Sequence, residues 1–354
     1  MFWSSRIYAD AAGGLPPHYN PGALHREGVA AKKELEKARA SVATSIGAHA
    51  DEIIFVANAT DANAFAATLA TAHTITSAIE HQSMLEPLRA AGVEVTELPV
   101  DAEGLLFPSA VSSALTPNTT FASIQLVNSE VGSIQPIRAI SKELKRAKQK
   151  VYFHTDAAQA PLWVDINVEQ LGVDLMTLDG VLYIKRGTPL ALPRQGTPNV
   201  AEARAVAAFL AQAQKKAEKR AKKTAAVRDY CWAEIKNRIP DAILNGPCLQ
   251  GEALPSDVKA SPCRRVANNL NVSVPGLDAQ MAVVSLDALG VAASTRSACD
   301  MGSNEPSHVI RALGVPKELA GTAIRLTFLP DFTARQARRI AEALKETADR
   351  YRRA

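Results

Sequence analysis

An α/β fold, a large domain with a mainly parallel sheet flanked by helices plus a smaller α/β C-terminal domain, is predicted from three features of the sequence. Short apolar segments alternate with helical patterns along the first half: residues 52–57 (EIIFVA) precede a helix starting at Ala59, and residues 74–77 precede one opened by Glu80 and His81. Residues 151–180 (VYFHTDAAQAPLWVDINVEQLGVDLMTLDG) read as a buried strand ending in an acid, Asp156, then a crossover and a second buried strand over 175–178. Finally, 354 residues with 47% hydrophobic content can bury a large core and leave room for a second, smaller one. In open parallel sheets ligands sit beyond the carboxyl ends of the strands, so Asp156 faces the expected site.

Composition narrows the function. The formal net charge of +4 is small for this length and leaves no electrostatic footprint for nucleic acid. The densest basic run, KKAEKRAKK over 215–223, lies in an Ala-rich helical stretch and reads as a solvated face. No apolar run approaches a membrane span, and MFWSSRIYAD at the start lacks the apolar region and cleavage site of a secretory signal, so a cytoplasmic protein is expected. The four cysteines, at 231, 248, 263 and 299, show neither a CxxC pair nor a nearby His at ligand spacing, which points away from zinc and from a disulfide framework.

In chain order, YADAAGGLPPHYNP is a loop, because its Gly and Pro residues forbid regular structure. Over 24–46, Ala31, Leu35, Ala38 and Val42 recur at spacings of four, three and four and line one face of a long packing helix. The helix beginning ATDANAFAATLA exposes free N–H groups at Ala59 and Thr60, which suits a phosphate. Asn58 and Thr60 suit simple capping equally well, and Asp61 would repel a phosphate beside it. His81, at a strand-to-helix junction, suits either a cap or a ring lying on an aromatic cofactor.

Residues 93–98 and 121–127 add strands, with a helix over 108–115 between them and a Lys-rich amphipathic helix over 136–148 after them. The types at Asp156 fit a turn residue or a partner for a ring nitrogen. Residues 199–238 form a long helical stretch, with a domain boundary near Glu218: 15–218 make the large domain, and 219–354 with 1–14 the small one. The small domain reads as strand 270–274, helix 277–289, strand 291–294, helix 307–313, strand 323–328 and a basic C-terminal helix. Cys299 sits among Ser, Arg, Asp, Gly and Asn in an exposed loop, where nearby Arg296 favours its thiolate.

Several of these motifs together, TSAIEHQSML, NSEVG, HTDAAQ, GVDLMTLDG and STRSACDMGSNEPSHVIRALG, resemble those of the cysteine desulfurases, pyridoxal-phosphate (PLP) enzymes of aminotransferase class V. The resemblance covers nearly the whole chain and implies a fold-type I PLP enzyme. It implies that Ala59 and Thr60 bind the cofactor phosphate, that His81 stacks on the ring and serves catalysis, and that Asp156 keeps the pyridine nitrogen protonated so that the ring is an electron sink. Gln159 would hydrogen-bond the ring hydroxyl, and Ser129 stands where the family has an Asn that contacts it. Arg194, Gly196 and Thr197 match an Arg-x-Gly-Thr turn whose Thr reaches the phosphate of the partner subunit. Cys299 would carry the persulfide formed from L-cysteine as alanine leaves, and Arg325 would bind the substrate carboxylate. A homodimer that passes sulfur to an acceptor or iron–sulfur scaffold protein follows from the same resemblance.

Two departures stand out. The family's cofactor-holding lysine follows the GVDLMTLDG strand almost at once, in a short Gly-rich loop, whereas this chain passes from Gly180 directly into VLYIKRG. The Gly-rich segment before Arg194 is also missing. Lys185 is the candidate to replace the lysine, although the pattern puts it inside a strand beyond that loop, on the face of Val181 and Tyr183. The implied alternative to a desulfurase is an inactive homologue acting as a binding partner or scaffold. Two shortened loops at one site fit a lost or altered chemistry, or a gap introduced in the sequence itself.

Overall fold

The computed structural model describes residues 7–14, 18–190, 196–249, 264–295 and 305–353. Its elements are α1 (Arg26–Ile46), β1 (Ile53–Phe55), α2 (Ala59–Ala67), β2 (His73–Ser77), α3 (Gln82–Ala90), β3 (Val95–Leu98), α4 (Pro108–Ala114), β4 (Thr119–Ser123), α5 (Ile137–Leu144), β5 (Tyr152–Asp156), α6 (Val168–Leu171), β6 (Leu175–Leu178) and β7 (Val181–Ile184). They are followed by α7 (Val200–Lys215), α8 (Ala217–Arg238), β8 (Ile243–Leu244), β9 (Asn269–Ser273), α9 (Ala279–Ala288), α10 (His308–Ala312), α11 (Lys317–Ala320), β10 (Ala323–Thr327) and α12 (Ala334–Arg353).

Seven strands form one sheet in the order β1-β7-β6-β5-β4-β2-β3, in which only β7 runs against the others. Successive residues serve opposite faces. Phe121, Leu175 and Leu182 pack with Ala62, Ala66, Met84 and Leu88 of α2 and α3. Ala122, Met176 and Val181 pack with Val42, Ile140 and Leu210 of α1, α5 and α7. Both faces are covered, which is why these strands are apolar throughout rather than alternating.

β2 connects to β3 on one side of itself, and β4 lies on its other side, so the chain reverses its direction of winding between β2 and β4. Such a switch point opens a crevice at the carboxyl ends of the strands. The crevice is roofed by a second, three-stranded antiparallel sheet, β10-β9-β8, with α8, α9 and α12 packed on it through Trp232, Ile235, Leu286, Ile324 and Leu344. A small apolar cluster joins the layers, with Ile79 and Val131 of the crevice rim against Val309, Ile310 and Leu313 of α10.

Several expectations need correction. The helical stretch over 199–238 is broken at Lys216, whose backbone (φ −139°, ψ 26°) is not helical. Arg220 donates to the carbonyl of Ala213 at 2.8 Å and so caps the end of α7 with a residue of α8. Residues 291–294 contribute only a bridge between Ser294 and Arg325, and the strand expected over 121–127 ends at Ser123, although Ile124 and Leu126 still donate to carbonyls of β5, at 3.1 and 2.7 Å. β8 was not foreseen, being two residues long.

Candidate active site

Four strand ends deliver the candidate side chains to one rim. β2 ends just before Glu80 and His81, β4 runs on into Asn128–Ser129–Glu130, β5 ends in Asp156, and β6 leads into Asp179.

Asp156 is fixed from two sides. Its Oδ1 accepts the Ala158 N–H at 3.0 Å, and its Oδ2 accepts from Asn63 Nδ2 at 2.7 Å. The other Asn63 amide hydrogen goes to Ser83 Oγ at 2.9 Å, and Ser83 Oγ is 2.7 Å from His81 Nδ1. The Ser83 backbone N–H also points at Nδ1, at 3.2 Å. That nitrogen is therefore the acceptor, and the ring proton of a neutral His81 belongs on Nε2. His81 caps α3, as one of the two readings of its sequence position has it. Burial raises the Asp156 carboxyl above its ordinary value, opposed by the Asn63 and Ala158 hydrogen bonds and by attraction to His81. Asn63 was missed from the sequence; a lone Asn in an Ala-rich helix gives no sign that its side chain is buried against a strand end 93 residues away.

Beneath this layer lies Glu80, fully buried. Both of its oxygens accept the Gln125 N–H, at 3.0 and 2.9 Å, and Ser77 Oγ lies 2.5 Å from Oε1. Burial pushes its carboxyl up to about 8, with the Ser77 and Gln125 hydrogen bonds pulling the other way. α10 reaches down to the same motif, with His308 Nε2 3.0 Å from the Glu80 carbonyl oxygen.

The remaining candidates are placed as follows. Ser129 lies on the rim, where its carbonyl accepts from Arg325 Nη1 at 3.3 Å, so Arg325 of β10 does enter the crevice from the roof. Gln159 is exposed just past β5, and Thr60 is exposed at the start of α2. That helix start is capped by Asn58, whose side chain accepts the Asp61 N–H at 2.9 Å. Thr197 is exposed beside a cavity of about 420 Å³ that Asp61, Asp179, Gly180, Asn199 and Glu202 also line. Cys299, Arg296 and Arg194 lie outside the described residues.

The lysine question has a geometric answer. β6 and β7 are joined by Asp179 and Gly180 alone, with Leu178 paired to Val181 and Gly180 at φ +78°. The Gly180 carbonyl accepts from Val56 N at 3.1 Å, which locks the turn to β1. Because β7 runs away from the rim, Lys185 lies beyond its far end, exposed, with its N–H on the Asp174 carbonyl at 2.8 Å. It is not inside a strand, as the pattern suggested, and four residues of strand, about 13 Å, separate it from the crevice. Lys185 does not reach the crevice, and among the described residues no lysine lines the cavity beyond the turn.

The aminotransferase class V family model matches residues 17–180, ending at the second residue of that turn. The cysteine desulfurase IscS of Dictyoglomus turgidum is 37% identical over 338 residues, covering 87% of this chain and 82% of the relative. The chain belongs to the cysteine desulfurase family. The IscS of Methanosarcina thermophila is 32% identical over 94% of this chain and 86% of its own. Among solved structures, a NifS-like protein aligns with a TM-score of 0.80 at 25% identity, over 92% of this chain and 90% of that one. A NifS-like protein from Rickettsia africae aligns at 0.78 and 23% identity, over 93% and 92%, and shows the same fold. The fold is that of the fold-type I PLP enzymes.

Desulfurases of this family are PLP enzymes, and the crevice can be tested against that cofactor. The ring end fits. Asp156, with its carboxyl raised by burial and still open to the crevice, is matched by a cationic N–H such as a pyridinium presents. At the other end, where the resemblance would put the phosphate, the start of α2 stands beside the carboxylates of Asp61, Asp179 and Glu202. Among the described residues lining the cavity at that end there is no lysine to form the linkage.

Proposed function

We propose that the protein is a PLP-dependent cysteine desulfurase that holds the cofactor through ring contacts rather than through a lysine, and turns over slowly for that reason. Bound PLP supplies an electron sink that labilises bonds at the substrate α-carbon. The chain's own residues do the rest. Asp156, backed by Asn63, would keep the ring nitrogen protonated. His81, fixed by Ser83, would lie over the ring and carry a proton. Gln159 and Ser129 would hold the ring hydroxyl, and Ala59, Thr60 and the partner subunit's Thr197 the phosphate. Arg325 binds the carboxylate of L-cysteine. The Cys299 thiolate forms a bond to the substrate sulfur as the carbon–sulfur bond breaks. The carbon keeps that electron pair and takes a proton, alanine leaves, and the sulfur stays as a persulfide for an acceptor such as an iron–sulfur scaffold protein.

The observation that carries this reading is the convergence of His81 and Asp156 through Ser83 and Asn63 at the switch-point crevice, with Arg325 entering from the opposite layer. We expect a cytoplasmic homodimer, with residues 15–218 as the cofactor domain and the rest as the smaller one. The deciding experiment incubates the purified protein with PLP, L-cysteine and a thiol reductant and measures alanine. Alanine formed in a PLP-dependent manner supports the reading. None over many hours would favour the partner or scaffold role, which the closed Asp179–Gly180 turn supports.

A further inference from the structure

Both chain neighbours of His81 are held by one residue from another layer. His308, at the start of α10, sets its Nε2 3.0 Å from the Glu80 carbonyl oxygen and its Nδ1 3.2 Å from Gln82 Nε2. A carbonyl oxygen only accepts, so the His308 proton belongs on Nε2, and Nδ1 of the neutral ring accepts from the Gln82 amide. The backbone that carries this ring is itself fixed against the rim. Val309, Ile310 and Leu313 pack with Ile79 and Val131, and the Ser307 hydroxyl donates to Glu130 Oε2 at 2.6 Å. Ser307 Oγ also accepts the N–H groups of Val309 and Ile310, at 3.1 and 3.3 Å, which caps the first turn of α10.

The Glu80 carbonyl and the His81 N–H belong to one planar peptide unit, so a bond to that oxygen orients the plane from which His81 departs. On its other side His81 enters α3, where its Nδ1 meets the Ser83 N–H at 3.2 Å and Gln82 is tied to His308. We infer that His308 is the positioning residue of His81: it holds the peptide before His81 and the side chain after it, so that the imidazole leaves the rim in one direction. What His81 does there rests on the desulfurase reading; its positioning by His308 does not. An imidazole set in advance adds affinity for a flat ring above it, since no backbone or rotamer freedom is then lost on binding.

The test measures carbethoxylation of individual histidines by diethyl pyrocarbonate in the full-length protein without cofactor, as initial rates read by peptide mass spectrometry. Exposed His49 is the reference, and His154, fully buried in β5, reports any opening of the fold. In His308→Leu the rate at His81 should rise about 5-fold as residues 80–82 gain local freedom, with His49 and His154 unchanged. His308→Asn is too short to reach the Glu80 carbonyl and should behave like His308→Leu. His308→Gln, whose amide nitrogen can stand where Nε2 does, should return the rate to within about 2-fold of the wild type. PLP affinity by absorbance titration should fall about 10-fold in His308→Leu and recover in His308→Gln. An unchanged His81 rate in folded His308→Leu overturns the inference. So does a rise at His81 matched at His154, or a rate as high in His308→Gln as in His308→Leu. If His308→Leu does not fold, an unchanged rate in His308→Asn overturns it. If His81 responds but the wild type binds no PLP, His308 positions His81 and the desulfurase reading falls alone.

Discussion

Asn63 Nδ2 stands 2.7 Å from Asp156 Oδ2, tying the middle of α2 to the end of β5. The same amide supports the serine that orients His81, so one side chain ties Asp156 and His81 together at the rim. Asn63→Ala should weaken PLP affinity about 10-fold, corresponding to about 1.4 kcal/mol, a usual value for a hydrogen bond to a charged group. An absorbance titration with PLP reads this directly. An unchanged affinity would make Asn63 a packing residue.

Glu80 gives the fold a pH dependence of definite sign. Its carboxyl rises from an ordinary 4.5 to about 8 in the folded chain. The folded state therefore favours the protonated form, because burial outweighs the hydrogen bonds that Ser77 and Gln125 donate to the carboxyl. The stabilisation is complete below about pH 4.5 and is lost as pH rises through about 8. Between pH 5 and 8.5 the wild type should lose roughly 3 to 5 kcal/mol that Glu80→Gln does not lose. Urea midpoints across that range measure it, and parallel pH profiles for the two proteins would contradict it.

Sulfur acceptance separates one thiol from three. Cys231 is buried, its thiol pushed up to about 12 by burial, so it has no thiolate to offer near neutral pH. With L-cysteine and PLP, persulfide labelling should disappear in Cys299→Ser and persist in Cys231→Ser, Cys248→Ser and Cys263→Ser. Labelling that survives in Cys299→Ser would assign the sulfur elsewhere.

Groups at strand ends were legible in the sequence because a short apolar run followed by a polar residue marks both the strand and the rim: His81 and Asp156 were found this way. Residues that support another residue were not. Asn63 sits among alanines, yet its side chain is buried against a distant strand end. Strand length was misjudged for the same reason at Lys185, where the alternation Val181, Tyr183, Lys185 continues although pairing stops at Ile184. Breaks without Gly or Pro, such as Lys216, leave no mark in composition.

The shortened β6–β7 turn offers the sharpest experiment. Asp179 and Gly180 close the two strands with Leu178 opposite Val181, and the cavity of about 420 Å³ beyond them gives space for a longer loop. If Asp156, His81 and Arg325 serve as proposed, what the site still needs is the cofactor anchor and the base that moves the substrate proton. Inserting a Gly-rich, lysine-bearing loop between Gly180 and Val181 should produce a PLP–lysine linkage that borohydride fixes and peptide mass spectrometry locates. Alanine release from cysteine should rise at least about 100-fold, the usual contribution of a positioned general base. Removal of the Asp179 charge in the same protein should tighten PLP further, because a phosphate at the start of α2 then meets one carboxylate fewer. If the unmodified protein already releases alanine as fast as the loop-restored one, another residue supplies the base, and His81 is the first to substitute. If the restored protein folds but binds no PLP, the ring contacts of Asp156 and His81 are not enough to hold the cofactor, and the partner role becomes the better account.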